Sequence, residues 1–242
     1  GDHQARAGAQ AKHGQKAVAG MTKRPSALRY LTGGVRKVAH RTATAAECIG
    51  RLEPGVRVCG LTAGQFSAID VLEHIADELG PCDFRVSTWT SGLYDVQRGA
   101  EMRQNGKVRN IRMLLDRGTF ERSPQYAGAL IQAVGAENIR CLSVHAKVTI
   151  AHGERGAAVV RSSMNLNKNL RTEQFDIDVC QVMADWYTEW FDALWDESGS
   201  GADNLAIITA VFDRFQALPP ADAAVTAKKL GGFKVGNPWL GA

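Results

Sequence analysis

A chain of 242 residues, 45% hydrophobic and 22% charged, has an ordinary globular composition and is long enough to bury a core as one domain with short appendages. No apolar run nears the roughly 18 residues that cross a bilayer, and the basic N-terminal segment lacks an apolar signal stretch. Five scattered cysteines without a CxxC pair argue against a disulfide framework or a zinc site, and predict a reducing, cytoplasmic setting.

The net charge of +4 divides unevenly. Residues 1–41 hold nine basic side chains against the single acid Asp2, so this arm carries +8 and leaves −4 for the remainder. A basic arm on a mildly acidic body suits contact with a polyanion or with a protein partner; the plainer reading is a solvated tail. Residues 1 to about 25 are rich in Ala, Gly, Gln and Lys and predict a flexible arm, within which Met21 could be a native start.

Alternating strands and helices begin at residue 56. Val56 to Leu61 predicts a strand, and Thr62-x-x-Gln65 reads as a capping box for a helix whose apolar face is Phe66, Ile69, Leu72, Ile75, Ala76 and Leu79. Gly80-Pro81 ends that helix. A strand over Phe84 to Trp89 leads through Thr90-Ser91-Gly92 into a helix to Gln104, with Asn105-Gly106 as a turn. Val108 to Leu115 predicts a strand and Pro124 to Val134 a helix closed by Gly135. Further strands are expected at Ile139–Val144, Ala146–Ala151, Ala157–Arg161 and Phe175–Val182, then helices at Asp185–Asp196 and Asn204–Leu218. The fold class is therefore α/β, a mixed β-sheet flanked by helices over residues 42–218, with a Gly- and Lys-rich tail at 219–242. No internal repeat is present.

The chemistry-bearing segment runs from Ser143 to Asp176. It holds His145-Ala146-Lys147 at the head of an apolar strand, Ser162-Ser163-Met164-Asn165 after the next strand, and Glu173 eight residues past the asparagine. Alternation on a strand would project His145 and Lys147 together. A neutral imidazole can attack phosphorus while an ammonium holds the non-bridging oxygens. Asn165, Ser163 and Ser162 could add neutral donors, and Glu173 could accept the other ring proton. With positioning and cationic charge supplied by side chains, phosphoryl transfer needs no metal and no cofactor. Taken singly, each element has a plainer reading: a strand-edge pair, a turn sequence, a surface acid.

These three elements, in this order and spacing, resemble the phospholipase D superfamily, and in particular its short nucleases with a single motif. The resemblance implies a single-half phospholipase D-like fold. It also implies catalytic roles for His145, Lys147, Asn165 and Glu173, and phosphate binding by Lys147, Asn165, Ser163 and Ser162. Two positions depart from the pattern: His152 stands where the superfamily has an aspartate, and Ser162 where it has a glycine. The tyrosyl-DNA phosphodiesterase branch lacks that aspartate too.

Elsewhere, His40 and His74 have no evident partners, and His74 on a helix reads as structural or solvent-facing. Trp186, Tyr187, Trp190, Phe191 and Trp195 suit core packing or a dimer interface before base stacking. Arg103, Lys107, Arg109, Arg112 and Arg117 form either a phosphate track or a solvated face. The leading expectation is a metal-independent endonuclease forming a phosphohistidine at a homodimeric site, with DNA ahead of RNA as substrate and no membrane partner. The alternatives are a non-catalytic nucleic-acid-binding or assembly protein of the same fold, and a phospholipid hydrolase or transferase.

Overall fold

A computed structural model describes residues 35–37, 44–168, 170–198 and 202–217. Of the basic arm it describes only β1 (Val35–Lys37), and the C-terminal tail and His40 lie outside the described residues. The elements that follow are α1 (Ala45–Ile49), β2 (Arg57–Thr62), α2 (Ala68–Leu79), β3 (Cys82–Thr88), α3 (Leu93–Gln104), β4 (Val108–Asp116), α4 (Arg117–Arg122) and α5 (Pro124–Val134). The second half holds β5 (Ile139–Leu142), β6 (Val148–Gly153), β7 (Gly156–Ser162), β8 (Glu173–Asp178), α6 (Gln181–Glu197) and α7 (Ala202–Gln216).

All eight strands join one mixed sheet in the order β1-β2-β8-β7-β6-β3-β4-β5. β3, β4 and β5 run parallel, while β6, β7, β8 and β2 alternate antiparallel from β3 outward. Side chains alternate between two apolar layers, as the period of a strand requires. Phe84, Val86, Met113, Leu115, Ala158, Val160, Phe175 and Ile177 enter the layer shared with α2, α3 and α5. Leu114, Ile150, Ala157 and Val159 enter the other, against Phe191 and Trp195 of α6. The sheet is thus covered on both faces, an α/β architecture.

Local corrections to the sequence reading have identifiable causes. Helix α2 starts at Ala68, six residues beyond Thr62, because Asp70 accepts from the Ser67 backbone N–H at 2.7 Å and its hydroxyl at 3.1 Å. Thr62 and Gln65 do bond each other, at 3.0 Å, but they close a turn at the end of β2. Gly80 and Gly135, with φ of 83° and 94°, end α2 and α5 where the glycine signal placed the stops. Helix α4 carries no separate start signal in the sequence, because Asp116 caps it directly from the end of β4, accepting from the Thr119 N–H at 3.1 Å. The alternation after Phe175 ends at Asp178, and Gln181 and Val182 open α6 instead. Gly60 is needed for a close approach: a Cβ there would sit 2.3 Å from Cζ of the buried Phe175 ring.

Candidate functional site

The antiparallel registers bring the end of β2, the start of β8, the end of β7, the start of β6 and the end of β3 to one edge of the sheet. Each residue of the sequence motif lies on this edge. His145 and Lys147 sit in the connection from β5 to β6, which is irregular over Ser143–Lys147 rather than a strand. Geometry explains this. In the sheet order β5 and β6 are three interstrand steps apart, roughly 14 Å, so the chain must leave the sheet to cross the ends of β4 and β3. Val144 is buried in the α6 layer, and the Ala146 carbonyl accepts from Ser87 Oγ at 2.8 Å. Between these anchors His145 is exposed.

The ammonium of Lys147 donates to the His145 carbonyl at 3.1 Å and lies 3.5 Å from Nδ1 of the imidazole. The expected juxtaposition of the two side chains therefore arises from this loop contact instead of from strand alternation. Burial pushes the Lys147 ammonium below its ordinary pKa, and the charge of Glu173 offsets part of that. The Lys147 carbonyl in turn accepts from the Ser162 N–H at 3.1 Å, locking the two halves of the motif together. Ser163 Oγ donates a short hydrogen bond to Glu173 and accepts from the Gln174 N–H at 3.0 Å. Ser162 Oγ turns to the Met164 carbonyl at 3.2 Å. Asn165 Oδ1 is buried without a hydrogen-bond partner among the described residues, and a ligand donor would satisfy it.

The Trp89–Gly92 loop, which its position after a strand end puts beside the pocket, is joined there by Thr88 and Asp95, two residues that sequence reasoning misses. The Trp89 ring lies 5.5 Å from that of His145, centroid to centroid. Thr88 Oγ1 receives the Leu166 N–H at 3.4 Å, and Asp95 Oδ2 receives the Lys168 N–H at 3.0 Å, so the loop carrying Asn165 is pinned to β3 and α3. Gly92 permits that approach, since a Cβ there would stand 2.9 Å from Asn167 Oδ1. Asp95 is 3% exposed, and burial raises its pKa to about 7. Its only sequence signal was an acid in the first turn of a helix, which announces a helix start and nothing more.

The remaining candidates resolve into structural roles. His152 ends β6 opposite Asp83, at the far edge of the sheet, with Nε2 at 3.0 Å from Thr188 Oγ1. Burial, and after it the Arg85 guanidinium, push its pKa below the ordinary histidine value. His74 is buried, with Nε2 at 2.7 Å from the Gly50 carbonyl. Phe191 and Trp195 are core residues. Lys107 pairs with Glu73 and Asp77, Arg109 with Asp83, Arg112 with Asp192 and Arg117 with Glu121, which favours the solvated-face reading of that cluster. The five cysteines are free thiols. Among the described residues no helix is long and apolar enough to cross a membrane, and no three His, Cys, Asp or Glu side chains are grouped to hold a metal ion.

No family model matches the sequence, and no curated protein matches it. Solved structures do. One is Nuc from Salmonella typhimurium, a phospholipase D family member, at TM-score 0.42 and 17% identity over 58% of this chain and 94% of that one. Another is TrmBL2, an archaeal chromatin protein described as showing a novel mode of DNA binding, at TM-score 0.36 and 12% identity over 57% of this chain and 52% of that one. Neither likeness assigns a role to any residue of this chain.

Proposed function

We propose that this chain hydrolyses phosphodiester bonds in nucleic acid, DNA ahead of RNA, with His145 as nucleophile. The observation that carries the reading is the exposed imidazole with the Lys147 ammonium 3.5 Å from its Nδ1, on the sheet edge that also holds Ser163, Asn165 and Glu173. An incoming phosphate draws the ammonium onto its non-bridging oxygens. Nδ1 then carries its proton toward Glu173, and the Nε2 lone pair attacks phosphorus. The P–N bond forms as the bond from phosphorus to the leaving oxygen breaks. The Asn165 Nδ2 amide shares the charge on the phosphoryl oxygens with Lys147, while Ser163, donating to Glu173, holds that carboxylate in place. Water then attacks phosphorus, breaks the P–N bond and restores the imidazole.

The leaving oxygen needs a proton from the side opposite the nucleophile. His74 is on a helix and His152 at the far sheet edge, so neither described histidine stands ready. A second copy of the chain, related by a two-fold axis, supplies its own His145 as the acid and then as the base that activates water. The His152 position also bears on the non-catalytic alternative. The motif aspartate it replaces would stand at the far end of β6, away from the reacting groups, so its absence removes nothing from this edge.

The test is cleavage of end-labelled DNA in the presence of a chelator, with trapping of an acid-labile phosphohistidine. Cleavage that stops with EDTA and returns with magnesium would overturn the mechanism. Mixing wild-type chains with His145→Ala chains tests the shared site: activity should fall faster than dilution, and a linear loss under exchange conditions would remove it.

A further inference from the structure

Beside His145, the Trp89–Gly92 loop, the end of β4 and the first turns of α4 and α5 border a shallow cleft. Of the large hydrophobic side chains that are exposed among the described residues, the aromatic ones are Trp89 and Tyr126, each 37% exposed, and both line this cleft. Its cavity volume is only about 10 Å³, too little to take in a ring system, so a flat ligand would fit across it and not inside it. The lining also carries Thr119, whose Oγ1 is buried without a hydrogen-bond partner among the described residues. Trp89 belongs to both places: it lines the cleft and meets the His145 imidazole at 5.5 Å.

We infer that this cleft is a stacking platform for an unpaired nucleobase next to the scissile phosphate, and that the substrate is single-stranded. The inference rests on the phosphodiesterase reading of His145, which puts the phosphate beside Trp89. Two exposed aromatic rings offer a π-face to any base, which gives affinity without sequence readout. The idle Thr119 hydroxyl suits a heteroatom on the base edge, since a buried hydroxyl left unpaired is costly. A duplex keeps its base faces stacked on one another and cannot present one here without unstacking.

The experiment uses the full chain with His145→Ala to prevent turnover, and three fluorescent probes: an oligothymidylate, an abasic deoxyribose-phosphate oligomer of equal length, and a duplex. Tyr126→Ala should weaken oligothymidylate binding about 5- to 150-fold, the loss expected for one stacked base, and leave binding of the abasic oligomer unchanged. Tyr126→Phe should bind as the parent does, and Thr119→Val should lose about 2- to 10-fold on the oligothymidylate alone. An equal loss on the abasic oligomer, no loss on either, or equally Tyr126-dependent binding of duplex would overturn the platform. Wild-type cleavage of the oligothymidylate separates the two readings. Base-dependent binding without cleavage sinks the hydrolase and keeps the platform; cleavage with binding indifferent to Tyr126 does the reverse.

Discussion

At one edge of the sheet His145 is exposed, and Glu173 begins β8 beside Ser163 and within reach of the Lys147 charge. Toward the other edge a histidine and a carboxylate stand again on β6 and β8. His152 is half-buried against Thr188, and Asp178, 1% exposed, is clamped by Arg57 at 2.7 Å and by Arg161. Four residues of β6 separate the two levels, roughly 13 Å of strand. What distinguishes the edges is where hydrogen-bonding capacity goes. The far edge directs its histidine and carboxylate into the protein itself. The near edge keeps an exposed imidazole and the Lys147 ammonium beside it for something that arrives from outside.

Paired substitutions at the two edges can break this contrast. The largest effect is expected at the histidines: His145→Ala should lower kcat by about 10³-fold or more with the fold intact, while His152→Ala should change it less than threefold or so. Comparable losses at both would mean that the edges are not functionally distinct. The carboxylates come next. Asp178 is buried and bonded by both Arg57 and Arg161, so Asp178→Ala should cost on the order of 3–5 kcal/mol in urea unfolding. Glu173→Gln should show its effect in turnover and cost under about 1 kcal/mol in the same titration.

Lys147 sharpens the comparison through pH. Lys147→Ala should reduce kcat by about 10²–10³-fold, the usual loss when one donor to a developing charge is removed. Because burial holds its pKa below the ordinary lysine value, the ammonium is present at neutral pH and is lost earlier than usual as pH rises. The alkaline limb of the rate profile should therefore lie below that of an ordinary lysine. Lys147→Arg should push that limb upward, since guanidinium does not titrate there; an unmoved limb would assign it to another group.

The smallest expected effect concerns the buried support of the Asn165 loop. Asp95 has an ordinary pKa of 3.8 and a folded value of about 7. Below the first value both folded and unfolded chains hold the proton, and nothing is lost. Between the two, the unfolded chain ionises while the folded one does not, so stability falls as pH rises; above about 7 the penalty is complete. Asp95→Asn keeps an acceptor for the Lys168 N–H without that penalty. Its melting temperature, relative to wild type, should climb between pH 4 and pH 8 by at least about 2–4 °C, the shift that 1 kcal/mol produces in a chain of this size. A flat difference would mean that Asp95 is ionised in the folded protein and held by partners.

Much of the architecture was legible because its signals are local. A glycine after an apolar helical face marks a stop whatever surrounds it, and Gly80 and Gly135 do so here. Starts were harder: Thr62-x-x-Gln65 and Ser67-x-x-Asp70 both have capping spacing, and only the end of β2 decides between them. The strand expected at Ala146–Ala151 begins two residues later, at Val148, for a related reason: nothing local reveals that the chain there is crossing above two other strands.

The motif residues themselves were readable from chemistry and spacing. Their grouping was not. Helical periodicity, capping and strand alternation act within a few residues, so the sequence by itself could determine where most elements lie, which faces are apolar, and that His145 and Lys147 are neighbours. Which strand lies beside which depends on register and crossover, and these are set by packing of the whole sheet. Only the tertiary structure decided that Trp89 meets His145 across 56 positions of sequence, that Asp95 holds the loop bearing Asn165, and that His145 before β6 and His152 within it stand toward opposite ends of the sheet.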